Sequence, residues 1–217
     1  MMPMPRPDKQ RDLLDGALRV FARDGYTRAS IEAIAEEAGV STRTIYNHFG
    51  DKASLFRAVI IDSAQRAARH EIEIVRRHLS RIVDLEEDLV AFGLAWATSD
   101  PQTASDFELV RQVRADAAHI PADTIDAWQH AGPLAVRVEI ASHLRRLARN
   151  GVLRIGPGKN AELLAAHQLV ALTAGVADRP GPPYPRRALE RIVRSGVRVF
   201  LAGYRATPDG EAAKGTP

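Results

Sequence analysis

Thr42, Arg43, Thr44, Asn47 and His48 form a run of hydrogen-bonding side chains set around the apolar residues Ile45 and Phe49. These types at this spacing suit the edges of base pairs. An arginine can donate two parallel hydrogen bonds to guanine, an asparagine can pair with adenine in the same bidentate way, and threonine methyls can meet thymine methyls. Tyr46, His48 and Lys52 are of the kind that donate to phosphate oxygens, which fixes register and adds affinity without reading sequence. The bland alternative is a helical hairpin whose polar residues only face water, a face on which Glu and Lys would be more common.

The surrounding residues predict two short helices meeting at a corner. Ser30 is placed to cap the first, and Ile31, Ile34, Ala35 and Ala38 follow at helical spacing. Ser30 is also counted with the DNA-facing set. Gly39 ends that helix, because a glycine takes the left-handed conformation that reverses the chain within a few residues. Ser41 caps a second helix, Thr42 to His48, about 10 Å long at 1.5 Å per residue, which fits a major groove about 12 Å wide. Ala35 is small enough for a close crossing, Ile45 fills the wedge and Val40 closes the turn. Together these features weigh against the bland reading.

The stretch IEAIAEEAGVSTRTIYNHFGDKASLF, with Phe21, Gly25 and Tyr26 ahead of it, resembles the DNA-binding domain of the TetR/AcrR family of transcriptional regulators. It carries the family's Gly-Val-Ser turn, the Tyr46 and Phe49 pair, and the Lys52 to Leu55 start of the next helix. The resemblance implies that Thr42 and Arg43 read bases and that Tyr46, His48 and Lys52 clamp phosphates; Asn47 sits where the family varies. It covers about the first quarter of the chain, beyond which only the helical layout is shared.

The 217 residues suffice for a small DNA-binding unit and a larger domain, and a hydrophobic share of 45% can supply a core. There is no cysteine, which excludes a disulfide scaffold, a thiolate metal site and a thiol nucleophile. Neither a signal peptide nor an apolar run of membrane-spanning length is evident, so a soluble cytoplasmic protein is expected. The net charge is only +3, so any DNA contact must come from a local basic surface. Arg6, Lys9 and Arg11 form a basic N-terminal arm that can reach backbone or minor groove, though such arms are commonly disordered.

Periodicity predicts an all-α chain in three parts: residues 1–50, an arm and three-helix DNA-binding domain; residues 51–205, a larger effector-binding and dimerisation domain; and residues 206–217, a disordered tail. The first helix is expected from about Asp8 to Arg23, and a long helix capped by Asp51 runs to about His78, spanning about 40 Å as a lever between domains. Further helices are expected at about Leu85 to Thr98, Ala104 to His119, Ala122 to Asn150 split at Gly132-Pro133, one capped by Asn160, and Arg186 to Tyr204. The proline-rich 178–185 stretch reads as a loop.

The last two helices carry more apolar surface than one face of a monomer needs, with Gly175, Gly196 and Gly203 permitting close backbone approach. A homodimer joined through Leu164, Ala171, Ile192, Gly196 and Phe200 is expected, although burial within one subunit accounts for the same pattern. Dimerisation is what lets two short helices read a palindromic operator, with half-sites roughly 34–36 Å apart. The resemblance places a small-molecule effector in the middle helices, where Phe92, Trp96, Phe107, Arg111, Trp128 and His167 are the candidates; core filling accounts for each aromatic as well. No cofactor or metal is expected, since the histidine pairs lack ligand spacing and no phosphate loop or nucleophile elbow appears. The expected function is a DNA-binding regulator, a repressor released by a small molecule, and no enzyme. Alternatives are a larger domain that binds a protein partner, activation in place of repression, or a small helical enzyme whose hairpin is incidental.

Overall fold

The computed structural model describes residues 7–98, 104–175 and 184–206, the side chains of 7–9 and 104–107 excepted. Ten α-helices account for almost all of it: α1 (Pro7–Arg28), α2 (Ile31–Glu37), α3 (Thr42–Phe49), α4 (Lys52–Leu79), α5 (Leu85–Ala97), α6 (Ala104–Ala115), α7 (Ala122–Ala131), α8 (Pro133–Arg149), α9 (Ala161–Thr173) and α10 (Arg186–Tyr204). Among the described residues there is no named strand, and no helix is long and apolar enough to cross a membrane. Arg6, much of the 178–185 loop and nearly all of the expected tail lie outside the described residues.

These residues gather into two compact units, one within Met1–His70 and Ser99–Ala135, the other within Glu71–Thr98 and Val136–Pro217. Packing therefore divides the chain elsewhere than at the end of the helix-turn-helix motif. The reason in the first unit is α6, which lies along α1 and adds Leu109 and Val113 to a core made by Leu13, Ala17, Phe21, Ile34, Ile45, Leu55, Phe56 and Ile60. Phe56 meets Phe21 edge-on, with ring centroids 4.9 Å apart, and Tyr26 at 4.7 Å. Trp128 of α7 is buried in the same core. Arg57 of α4 pairs with Asp123 of α7 at 2.8 Å, and Arg66 of α4 reaches Asp15 of α1 at 3.2 Å.

Helix α1 runs further than its apolar stripe predicts. It continues to Arg28 through Gly25, whose φ of 77° and ψ of 171° break the helix in a conformation only glycine takes comfortably. The expected Ala104 to His119 helix ends at Ala115, and a single 3-10 turn, Ala117–His119, completes the stretch. The Gly132-Pro133 break is where α7 gives way to α8.

In the second unit α10 packs against both α9 and α5, burying Leu189, Val193, Val197, Phe200 and Leu201 with Leu169, Val170, Leu89 and Phe92. Gly196 is the point of closest approach: a Cβ there would stand 1.9 Å from the Leu172 carbonyl oxygen. The cap expected of Asn160 takes another form. Its side chain makes no capping hydrogen bond, and the residue instead enters α9 in the left-handed conformation with φ 67°.

Candidate nucleic-acid interface

Both helices of the hairpin begin with the side-chain caps their sequences imply. Ser30 Oγ accepts from the Ala33 amide at 3.1 Å and Ser41 Oγ from the Thr44 amide at 3.1 Å, each satisfying a donor that a helix start leaves open. Between them Gly39 takes φ 65° and the Val40 amide donates to the Ala35 carbonyl at 2.9 Å, closing the corner. Ile45 is fully buried, so α3 is anchored on one side only. Asp51 then caps α4, its Oδ1 accepting from the Ser54 amide at 2.7 Å, and these backbone and side-chain hydrogen bonds hold its pKa below the ordinary carboxylate value.

The other side of α3 faces outward. Arg43, Asn47 and His48 are exposed, and Tyr46 presents 49% of its surface, unusual for an aromatic on a helix this well anchored. The two threonines differ from the expected outward run. Thr42 and Thr44 are half-buried, and the Thr44 hydroxyl is 2.8 Å from Ser41 Oγ, inside the cap. Ser30 is exposed with its hydroxyl engaged at the α2 cap. Lys52 is half-buried: Nζ donates to the Thr27 carbonyl at 3.2 Å and lies 5.0 Å from the centre of the Tyr26 ring. Burial lowers its pKa, and the charge of Asp116 opposes that shift. The arm residue Arg11 is ion-paired with Asp15 at 3.6 Å.

The six effector candidates are divided between the two units. Arg111 and Trp128 belong to the first, where Arg111 is exposed and paired with Glu108 while Trp128 is buried core; Phe107 is in the same unit, with its side chain outside the described residues. Phe92, Trp96 and His167 belong to the second. Phe92 is fully buried and meets Trp96 edge-on at 5.4 Å, whereas His167 is exposed, with Nδ1 2.8 Å from the Leu163 carbonyl of its own helix.

Two residues that the sequence reading passed over are linked in the second unit, one of them lying on Trp96. The Arg137 guanidinium of α8 lies over the Trp96 ring, and its charge acts on the Glu71 carboxylate of α4. Burial dominates at both. It pushes Glu71 up to about 7 against the pull of Arg137, and it lowers Arg137 against the pull of Glu71. For Arg137 the available signal was a charged residue inside an apolar run, between Val136 and Val138; Glu71, among Arg69, His70 and Glu73, carried none.

The dimer candidates also separate. Gly196 and Phe200 are buried inside the chain by α9 and α5, so the close approach that Gly196 permits is made within one molecule. Ile192 is half-buried, while Ala171 is exposed and Leu164 exposes 57% of its surface; Val199, not singled out from the sequence, exposes the same share.

Residues 13–59 match the family of bacterial regulatory proteins known as the tetR family, and residues 87–206 match the C-terminal domain of AefR-like transcriptional repressors. The chain is 39% identical over 61 residues to the HTH-type transcriptional repressor AcnR of Corynebacterium glutamicum, covering 28% of this chain and 32% of that protein. It is 34% identical over 95 residues to the HTH-type nicotine-responsive transcriptional repressor HdnoR of Paenarthrobacter nicotinovorans, covering 42% of this chain and 45% of that protein. The chain thus spans a third to under a half of the length of these curated relatives. A crystal structure of a tetR-family regulator from Mesorhizobium loti is similar along nearly the whole chain, with a TM-score of 0.77 at 26% identity, covering 94% of this chain and 100% of that one. With the helix-turn-helix geometry and matches to both its N-terminal and C-terminal parts, the chain belongs to the tetR family of bacterial regulatory proteins.

Proposed function

We propose that the protein is a cytoplasmic, homodimeric transcriptional repressor that occupies a palindromic operator through α3 and leaves it when a small molecule binds the larger domain. The observation that carries the DNA reading is the asymmetry of α3. One face is tied down by Ile45, and the opposite face offers Arg43, Tyr46, Asn47 and His48 to solvent. Arg43 and Asn47 are assigned to bases, and Tyr46, His48 and Lys52 to phosphates. Thr42 takes the edge of the contact, and Ser30 and Thr44 act mainly through their caps.

Support for an effector comes from Arg137 resting on Trp96, and from two ionisable groups, Arg137 and Glu71, held half-buried although burial disfavours the charged form of each. A ligand with a flat ring and an acidic substituent suits a tryptophan with a guanidinium over its ring. The nicotine-responsive relative lends the same reading weight, without fixing which molecule acts here. Any ligand that binds the DNA-free form better than the DNA-bound form lowers operator affinity by that ratio. The protein is read as a binding protein and not an enzyme.

Selection of bound fragments from a random duplex library tests the reading directly. The expected product is an inverted repeat whose half-sites are about 10 base pairs, or a multiple of one turn, apart. Folded protein that enriches no sequence overturns it.

A further inference from the structure

In the first unit a carboxylate just past the end of α6 meets the last turn of α1, beyond its break at Gly25. Asp116 Oδ2 accepts from the Thr27 amide at 3.4 Å, and a Cβ placed on Gly25 would stand 2.7 Å from the same oxygen. Gly25 is thus bare on the side that Asp116 occupies. The Thr27 carbonyl in turn accepts from Lys52 Nζ at 3.2 Å. A single residue, Thr27, therefore holds both the carboxylate and the ammonium. Asp116 is itself fixed from behind. Its amide donates to the Gln112 carbonyl at 2.9 Å, its own carbonyl accepts from the His119 amide at 2.8 Å, and Val113 and Ile120 on either side are buried. The carboxylate is carried by a packed junction, not by a loose loop.

We propose that Asp116 is a positioning residue for DNA binding that acts through Lys52. It serves as an internal counter-ion, holding the ammonium against the last turn of α1 so that a DNA phosphate has to compete with a carboxylate the protein already carries. This rests on the DNA-binding reading above and adds to it a determinant of affinity that lies outside the helix-turn-helix. Because Lys52 meets phosphate and not bases, Asp116 weakens binding to every sequence alike and reduces the number of counterions released on binding.

The test uses the full-length protein and a labelled duplex of random sequence, titrated by fluorescence anisotropy over a series of salt concentrations. Asp116→Asn keeps an oxygen for the Thr27 amide and removes only the charge. Asp116 and Lys52 share Thr27 without a direct ion pair, so the neutral variant is expected to bind only about two- to fivefold more tightly at low salt, the scale of a surface charge interaction. Its plot of log K against log salt should steepen, by up to about 0.9. Both differences should disappear in a Lys52→Met background. Asp116→Glu, which keeps the charge, should behave as the wild type, and it carries the test if the asparagine variant melts early. Unchanged affinity and slope in Asp116→Asn, tightening that persists without Lys52, or Asp116→Glu binding as tightly as the neutral variant would each overturn the proposal. Wild-type protein that binds no duplex at any salt concentration instead removes the DNA reading on which it stands.

Discussion

The Arg137 guanidinium carbon lies 5.6 Å from the centre of the Trp96 ring, so a cation carried by α8 rests on an aromatic face carried by α5. Such contacts gain strength as water is excluded, and they hold both side chains in one arrangement. Glu71 of α4, in the same unit, senses the same charge.

Glu71 makes the stability of the protein depend on pH in a direction opposite to that of an ordinary paired carboxylate. Burial raises its pKa from 4.5 to about 7, so between these values the folded chain binds more protons than the unfolded one. Its contribution is therefore most favourable below about pH 4.5, declines as pH rises through 7, and is flat beyond. Glu71→Gln should melt higher than the wild type at pH 8, by about 2–4 °C for each kcal/mol of burial cost removed. The gap should narrow as pH falls and close at about pH 4. Equal melting temperatures at pH 8 would show that the carboxylate is well solvated.

Arg43→Ala and Lys52→Ala should fail in different ways. Loss of Arg43 is expected to cost about 1–3 kcal/mol on the operator and to relax base preference at one position in each half-site. Loss of Lys52 should weaken all duplexes alike and flatten the salt dependence. Competition binding with operator and scrambled duplexes separates the two outcomes, and an equal loss of specificity from both counts against the division of roles.

Gly196→Ala tests the approach of α10 to α9. The added methyl meets the Leu172 carbonyl, which belongs to helix backbone and cannot swing aside. Overpacking of this kind typically costs about 1–3 kcal/mol or more. A chemical melt should show the loss; a neutral result would mean that the helices separate there freely.

Leu164→Glu is expected to dissociate the proposed dimer. The side chain is largely exposed in the single chain, so the substitution leaves the monomer core alone while placing a charge in the interface. Light scattering should report half the wild-type mass with an unchanged helical spectrum. A variant that remains dimeric would move the interface elsewhere.

The helix-turn-helix was legible in the chain because every part of it is local. The Ser30 and Ser41 caps act three residues on, Gly39 needs only its own backbone, and Ile45 is the apolar position that spacing marks as buried. Helix ends set by tertiary contact were not legible. Helix α1 passes Arg23 because Phe56 covers Tyr26 and Asp116 receives the Thr27 amide, and both partners are distant in sequence.

Residue type and spacing alone determined the all-α architecture, the corner between α2 and α3 and the exposed polar face of α3, since periodicity and capping depend on neighbours within a few positions. Only the folded chain decided that Gly196 and Phe200 serve the interior, that Thr44 turns into its cap, that Arg137 rests on Trp96 and acts on Glu71, and that Lys52 is already held by Thr27. An apolar stripe records that a face will be buried but carries no mark of the surface that buries it. A charged side chain likewise does not reveal its partner until the helices have packed.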